Sequence, residues 1–129
     1  MGQNYLIDTN VISHLFADRL PNAGKKFITT IINTNFIISV VVEIEVLTYH
    51  ETPEKMPLIE EFISFATVVP LDKEITLKAI EIRRNQRKLK LADAIIAATA
   101  VVHNLVLISN NVKDFTNIKS LKVIDPHSL

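Results

Sequence analysis

Tyr5-Leu6-Ile7-Asp8-Thr9-Asn10-Val11-Ile12 is the stretch on which the reading of this chain turns. Three apolar residues make a short buried strand. The helical spacing of Val11, Ile12, Leu15 and Phe16 then predicts a helix from Thr9 to about Arg19. Asp8 stands at the junction, at the carboxyl end of the strand. In open parallel sheets that end borders the ligand crevice. Asp8 could serve as the helix N-cap, but Thr9 or Asn10 could take that role and leave the acid without structural duty.

Working outward, the same alternation recurs. Further strands are expected over 36–39, 67–69, 105–108 and 121–124. Helices are expected over 21–33 with Pro21 in the first turn, over 57–66, over 73–88 behind an Asp72 N-cap, and over 91–103. The last is nearly apolar all round, as in a helix packed on a sheet. Residues 40–49 are ambiguous, because three valines favour a strand. A helix is preferred, since a strand from Phe36 to Tyr49 without a turn signal would be too long. On that helix Glu45 stands beside Val41, Val42 and Tyr49, and Glu43 beside His50. The expected fold is therefore α/β, a single domain over 1–129, with a four- to five-stranded, mainly parallel sheet between helical layers.

Composition narrows the function classes. With 48% apolar and 22% charged residues, the chain buries a core and is not disordered. Its 14 basic and 14 acidic side chains cancel, so net charge does not announce a nucleic-acid partner. No cysteine is present, which excludes disulfides and thiolate zinc sites and suits a reducing cytoplasm. Gly2 and Gly24 are the only glycines, which excludes a glycine-rich phosphate loop. Met1-Gly2-Gln3-Asn4 has no basic region leading into an apolar run, and the apolar runs 36–42 and 94–102 are too short to cross a bilayer. A cytoplasmic protein without a membrane segment is expected.

Four acids, Asp8, Glu45, Asp93 and Asp114, stand where strands end or helices begin. A carboxylate in an apolar segment is costly unless donors, charge partners or a metal receive it. Asp93 in Leu91-Ala92-Asp93-Ala94-Ile95 could merely favour the helix dipole, worth ~0.3–1 kcal/mol, but core residues flank it. Glu45 has valines at its helical neighbours. Asp114 could close a turn, and Asn111, three residues earlier, would reach the same place on a helical turn. A parallel fold brings all four to one sheet edge, where their repulsion calls for a divalent cation. Hard oxygen donors select Mg2+ or Mn2+ over zinc, and His14, His50, His103 and His127 are scattered, with no pair at zinc spacing. Such an ion supplies a nucleophile by acidifying a water.

Four segments together resemble a known family: residues 5–10, Ile38-Ser39-Val40-Val41-Val42-Glu43-Ile44-Glu45-Val46-Leu47, residues 91–100, and Leu107-Ile108-Ser109-Asn110-Asn111-Val112-Lys113-Asp114-Phe115. The chain resembles the PIN-domain ribonucleases, specifically the VapC-like toxins of type II toxin–antitoxin pairs, over nearly its full length. The resemblance implies a three-layer PIN-like α/β/α fold. It implies that Asp8 and Asp93 are metal ligands, that Glu45 is the third acid, with Glu43 its competitor, and that Asn111 or Asp114 fills a variable fourth position. Asn10, Ser39 and Ser109 would line the cleft. Departures from the family pattern are Ala92 for a common Pro, Thr48 for a Gly and Ser109 for a Thr; none removes a carboxylate.

The implied activity is Mg2+- or Mn2+-dependent hydrolysis of RNA phosphodiesters, leaving a 5′-phosphate and a 3′-hydroxyl. Arg83, Arg84, Arg87, Lys88 and Lys90 cluster ahead of Asp93 as a basic helix end able to hold an anionic backbone, or simply to face water. Implied partners are an RNA substrate, a small VapB-like antitoxin whose tail enters the cleft, and a second copy meeting exposed apolar positions of the first two helices. The alternative is a PIN-like module that binds RNA or protein without cutting. A receiver-like phosphoacceptor or an Asp-nucleophile phosphatase fits less well, because Thr9 and Asn10 stand where a further acid is needed.

Overall fold

The computed structural model describes residues 2–48 and 52–129. Five short strands alternate with helices: β1 (Tyr5–Ile7), α1 (Thr9–Phe16), α2 (Asn22–Asn35), β2 (Ile37–Ser39), α3 (Val40–Thr48) and α4 (Met56–Ser64). There follow β3 (Thr67–Val69), α5 (Lys73–Asn85), α6 (Leu91–Val102), β4 (Val106–Ile108), α7 (Val112–Phe115), β5 (Val123–Ile124) and a 3-10 turn, Pro126–Ser128. This is the three-layer α/β/α arrangement of a PIN domain.

All strand pairings are parallel and form two ladders, β1-β4-β5 and β2-β3. Strands β1 and β2 lie next to each other, which sets the ladders side by side. Leu6, Ile7, Ile38, Leu107 and Ile108 are fully buried, as strands covered on both faces require. In register, Ile7 stands opposite Ile108, and Ile108 opposite Ile124. The next residues, Asp8, Ser109 and Asp125, therefore leave the sheet abreast. The Asp8 amide donates to the Ile108 carbonyl at 3.0 Å, and the Ser109 amide to that of Ile124 at 3.0 Å.

Residues 40–48 are helical, as reasoned from length against local valine preference. The positions given to Tyr49 and His50 lie outside the described residues. Helix α1 stops at Phe16, short of Arg19, because Asp18 turns into the left-handed region at φ 55°. Pro21 is the N-cap residue of α2 rather than part of its first turn, and the helix runs on to Asn35. Helix α5 ends at Asn85, so Arg87, Lys88 and Lys90 sit in a loop and not on a helix end. Helix α7 and the 3-10 turn are too short to carry a periodic signal.

The surface expected to hold a second copy also needs correction. Among the described residues, no large apolar side chain of α1 or α2 is exposed. Those that are exposed include Ile44, Leu58, Phe65, Leu71, Leu77, Ile80 and Leu91. The apolar stripes of α1 and α2 are spent on the core and on aromatic contacts, Tyr5 with Phe27 and Phe16 with Phe62.

Candidate active site

Buried polar side chains are informative because burial without partners is costly. Among the described residues four are buried, and three of them end strands: Asp8, Ser39 and Ser109. The fourth, Thr99, returns its hydroxyl to the Ile95 carbonyl one helical turn back. Polar burial is thus concentrated at the carboxyl edge of the sheet.

Asp8, only 4% exposed, is held by donors on both oxygens. Oδ1 accepts from the Thr9 amide at 2.8 Å, so Asp8 is the N-cap of α1 after all and has the structural duty that Thr9 or Asn10 could have taken. Oδ2 accepts from the Ser109 hydroxyl at 2.7 Å and, at 3.4 Å, from the Asn10 amide. Ser109 in turn accepts from the Asn111 backbone amide at 3.1 Å, and Asn10 Oδ1 from that of Asn110 at 3.1 Å. Ser39 plays a separate part, with its hydroxyl accepting from the Val41 amide at 3.1 Å to start α3.

Glu45 comes from α3, which packs against α1 and α6. Its Oε1 accepts from the Thr9 hydroxyl at 2.6 Å, joining it to the residue beside Asp8. Glu43, on the same helix, makes no bond to Thr9. Asp93 lies in the first turn of α6, half-buried, and accepts no hydrogen bond from the described residues. Asp114 is exposed on α7, which Asn111 precedes as the N-cap residue.

Electrostatics tie the four acids together. Burial, followed by the charges of Asp8, Asp114 and Glu45, pushes the Asp93 carboxyl up to about 6, against a smaller opposing effect of Lys90. Asp8 is also raised, chiefly by burial and slightly by Glu45, while its bonds to Ser109 and Thr9 act the other way. Side chains far apart in sequence therefore share one field, as the acidic pattern required. Among the described residues, however, no three His, Cys, Asp or Glu side chains converge closely enough to cage an ion.

Arg83, Arg84, Arg87, Lys88 and Lys90 are all exposed, and none is in an ion pair among the described residues. The Arg83 Nε donates to the Leu89 carbonyl at 3.3 Å. Three of the five, Arg83, Arg84 and Arg87, flank a groove of about 600 Å3 between α5 and α6, floored by Leu71, Ala79, Ile80, Leu91 and Ile95. Leu91 and Ile95 are each about 200° around α6 from Asp93. The arginine groove and the acids thus lie on different sides of the same helix, with Lys90 at its start between them.

An open parallel sheet with a buried, donor-held Asp at the tip of its first strand, and further acids on α3, α6 and α7 whose charges bear on Asp93, defines an α/β protein with acidic residues near its strand ends. The PIN domain profile matches residues 5–121. The chain belongs to the PIN-domain family, and its fold is VapC-like. A chain in a toxin–antitoxin complex from Klebsiella pneumoniae is 28% identical, with a TM-score of 0.76 over 95% of this chain and 98% of that one. One in VapBC-1 from nontypeable Haemophilus influenzae is 23% identical, with a TM-score of 0.80 over 96% and 98%. One in FitAcB from Neisseria gonorrhoeae is 21% identical, with a TM-score of 0.79 over 97% and 99%; the last two likenesses speak for the fold alone. No curated protein sequence matched significantly. No helix among the described residues is long and apolar enough to cross a membrane.

Proposed function

We propose that this chain is a divalent-metal-dependent endoribonuclease and the toxin of a type II toxin–antitoxin pair. The observation that carries the reading is Asp8, buried at the tip of β1 with donors on both oxygens and joined through Thr9 to Glu45. Burial and the charges of Asp8, Asp114 and Glu45 raise the Asp93 carboxyl. Such a cluster has little structural use, and a cation relieves it.

The residues fit a hard cation. All donors in the cleft are carboxylate, hydroxyl or amide oxygens, with no thiol in the chain. Mg2+ is usually held by one or two carboxylates and several waters, so Asp8 and Asp93 suffice and a three-acid cage is not needed. When bound, Mg2+ or Mn2+ would neutralise the scissile phosphate and lower the pKa of a water. The chain's own residues do the rest. The Thr9 amide, Ser109 and Asn10 fix the direction of the Asp8 oxygens. The Thr9 hydroxyl holds one Glu45 oxygen and leaves the other for water. Asp114 adds negative charge at the rim, and Asn111 braces Ser109 through its backbone. Ser39 starts the helix that carries Glu45. Lys90, at the start of α6, is the cation of the basic cluster placed to draw the RNA backbone towards the acids. Arg83, Arg84 and Arg87 line a groove on the other side of that helix and would hold the backbone there, with Lys88 in the loop between.

One solved relative is named as a toxin–antitoxin complex and another as VapBC-1, which supports a small VapB-like antitoxin as partner, its tail placing a cation among the carboxylates. A homodimer is expected too. Exposed Leu71, Ile80 and Leu91 offer it a better contact face than α1 or α2. Metal-free protein should cut RNA only when Mg2+ or Mn2+ is restored, leaving 5′-phosphate ends, and Asp8→Asn should not cut. Equal cleavage by both proteins in EDTA would defeat this reading. RNA binding without cleavage under any metal would leave the non-catalytic module.

A further inference from the structure

Away from the acids, three polar side chains from distant segments meet: His14 on α1, Asn110 just after β4, and His127 in the C-terminal 3-10 turn. His14 Nδ1 lies 2.9 Å from His127 Nε2, across 113 positions of sequence, and 2.9 Å from the Asn110 side-chain nitrogen. The two imidazole rings are nearly perpendicular, at 83°. Asn110 Oδ1 is buried and has no hydrogen-bond partner, the only such atom among the described residues.

One-to-one hydrogen bonding does not satisfy this arrangement; only a proton or lone pair on His14 Nδ1 shared between two partners does. An imidazole nitrogen offers one lone pair or one proton. If His14 Nδ1 accepts from Asn110, His127 must bring a second donor to the same lone pair. If His14 Nδ1 carries the proton, the Asn110 amide faces it with another donor. Exchanging the oxygen and nitrogen of the amide, which are interchangeable in shape, turns the oxygen towards His14 and leaves the amide nitrogen at the buried position instead. The amide oxygen and His127 Nε2 then each stand 2.9 Å from His14 Nδ1.

Two nitrogens bound to one ion at 2.0–2.1 Å stand about 2.9 Å apart at a right angle and about 3.3 Å apart at the tetrahedral angle. The observed 2.9 Å lies at the short end of that range and is also an ordinary hydrogen-bond distance. We propose that His14, His127 and the Asn110 amide form a transition-metal site, taking Zn2+ or Ni2+ with water in the remaining positions. Imidazole donors favour such ions over Mg2+ and separate this site from the acidic cleft. With two imidazoles and no third His, Cys, Asp or Glu converging among the described residues, the site is open and exchangeable.

Its structural effect comes from the elements it joins. Gly24 on α2 lies so close to the 3-10 turn that a Cβ there would collide with the Pro126 carbonyl, so the turn is seated on α2. The Asp125 side chain caps the turn by accepting from the His127 amide at 2.9 Å. An ion on His14 and His127 pins this turn to α1 as well, and through Asn110 braces the loop that supports Asn10 and Ser109.

The test is Zn2+ titration of tag-free, EDTA-stripped full-length protein in excess Mg2+, followed by calorimetry and by the d–d absorption of Co2+ as a substitute. About one equivalent of Zn2+ should bind. Asp93→Asn should leave this unchanged, whereas His127→Ala, at an exposed position, should weaken it about tenfold or more. His14→Ala should do the same. No binding by the wild type would overturn the proposal, as would unchanged binding by His127→Ala. Loss of binding in Asp93→Asn alone would overturn it too, by placing the ion among the acids.

Discussion

Asp93 feels the charge of Asp8, yet the chain surrounds the two differently. Asp8 is the more buried and receives three donors, from Thr9, Ser109 and Asn10. Asp93 is half-buried, receives none from the described residues, and is raised to about 6. One region of the cleft is thus braced by protein before anything binds, and the other is left with unmet negative charge. The difference teaches how such a site is divided. The strand tip supplies a fixed oxygen, and the helix supplies an acid with no hydrogen-bond partner among the described residues.

The predictions sort by how strongly they test that division. The largest effect belongs to catalysis: Asp8→Asn and Asp93→Asn should each lower RNA cleavage by more than the ~10²-fold that loss of an outer-shell partner costs a metal site. A gel assay with quantified 5′ ends measures it. Asp93→Asn differing little from wild type would break the pairing of the two acids. Next, Ser109→Ala removes the 2.7 Å donor from a buried carboxylate and should destabilise the protein by about 1.5–3 kcal/mol, seen in urea unfolding. A neutral result would mean that Asp8 is not braced as described.

The third concerns pH. Asp93 holds its proton more tightly when folded than when unfolded, so the folded state binds more protons between about pH 4 and pH 6. The stability it contributes is complete below the unfolded value and is lost as pH rises through about 6. Asp93→Asn should therefore stabilise the metal-free protein at pH 7.5, by about 1 kcal/mol once solvent screening is discounted. It should flatten the fall of melting temperature across that window. Added Mg2+ should offset the loss in wild type only. The smallest effect is that of Thr9→Val, which frees Glu45 at a cost of about 0.5 kcal/mol and a few-fold in cleavage. A loss as deep as that of Asp8→Asn would move Thr9 itself into the chemistry.

Much of this was legible in the sequence because α/β alternation forces it. β1 and β3 fall where the apolar triplets Tyr5-Leu6-Ile7 and Thr67-Val68-Val69 place them, and parallel pairing carries Asp8 to the same edge as Ser109. Length outweighed valine preference in 40–48, which is helical and brings Glu45 to the Thr9 hydroxyl. Local periodicity has no access to what long-range contact decides. It could not say that Asp8 caps α1 while facing the cleft, or that α5 stops at Asn85 and leaves Arg87, Lys88 and Lys90 in a loop. It read four histidines as scattered, although folding brings two of them into contact. A pairing across 113 positions leaves no mark on local spacing.

For the proposed chemistry, Asp8 and Asp93 must receive the same ion. The most direct test is an anomalous difference map from a crystal of the protein grown with Mn2+. A single peak about 2.0–2.2 Å from an oxygen of each carboxylate is the expected result. A peak bound by one of the two alone, or none at the edge of the sheet where Asp8 ends β1, would contradict it.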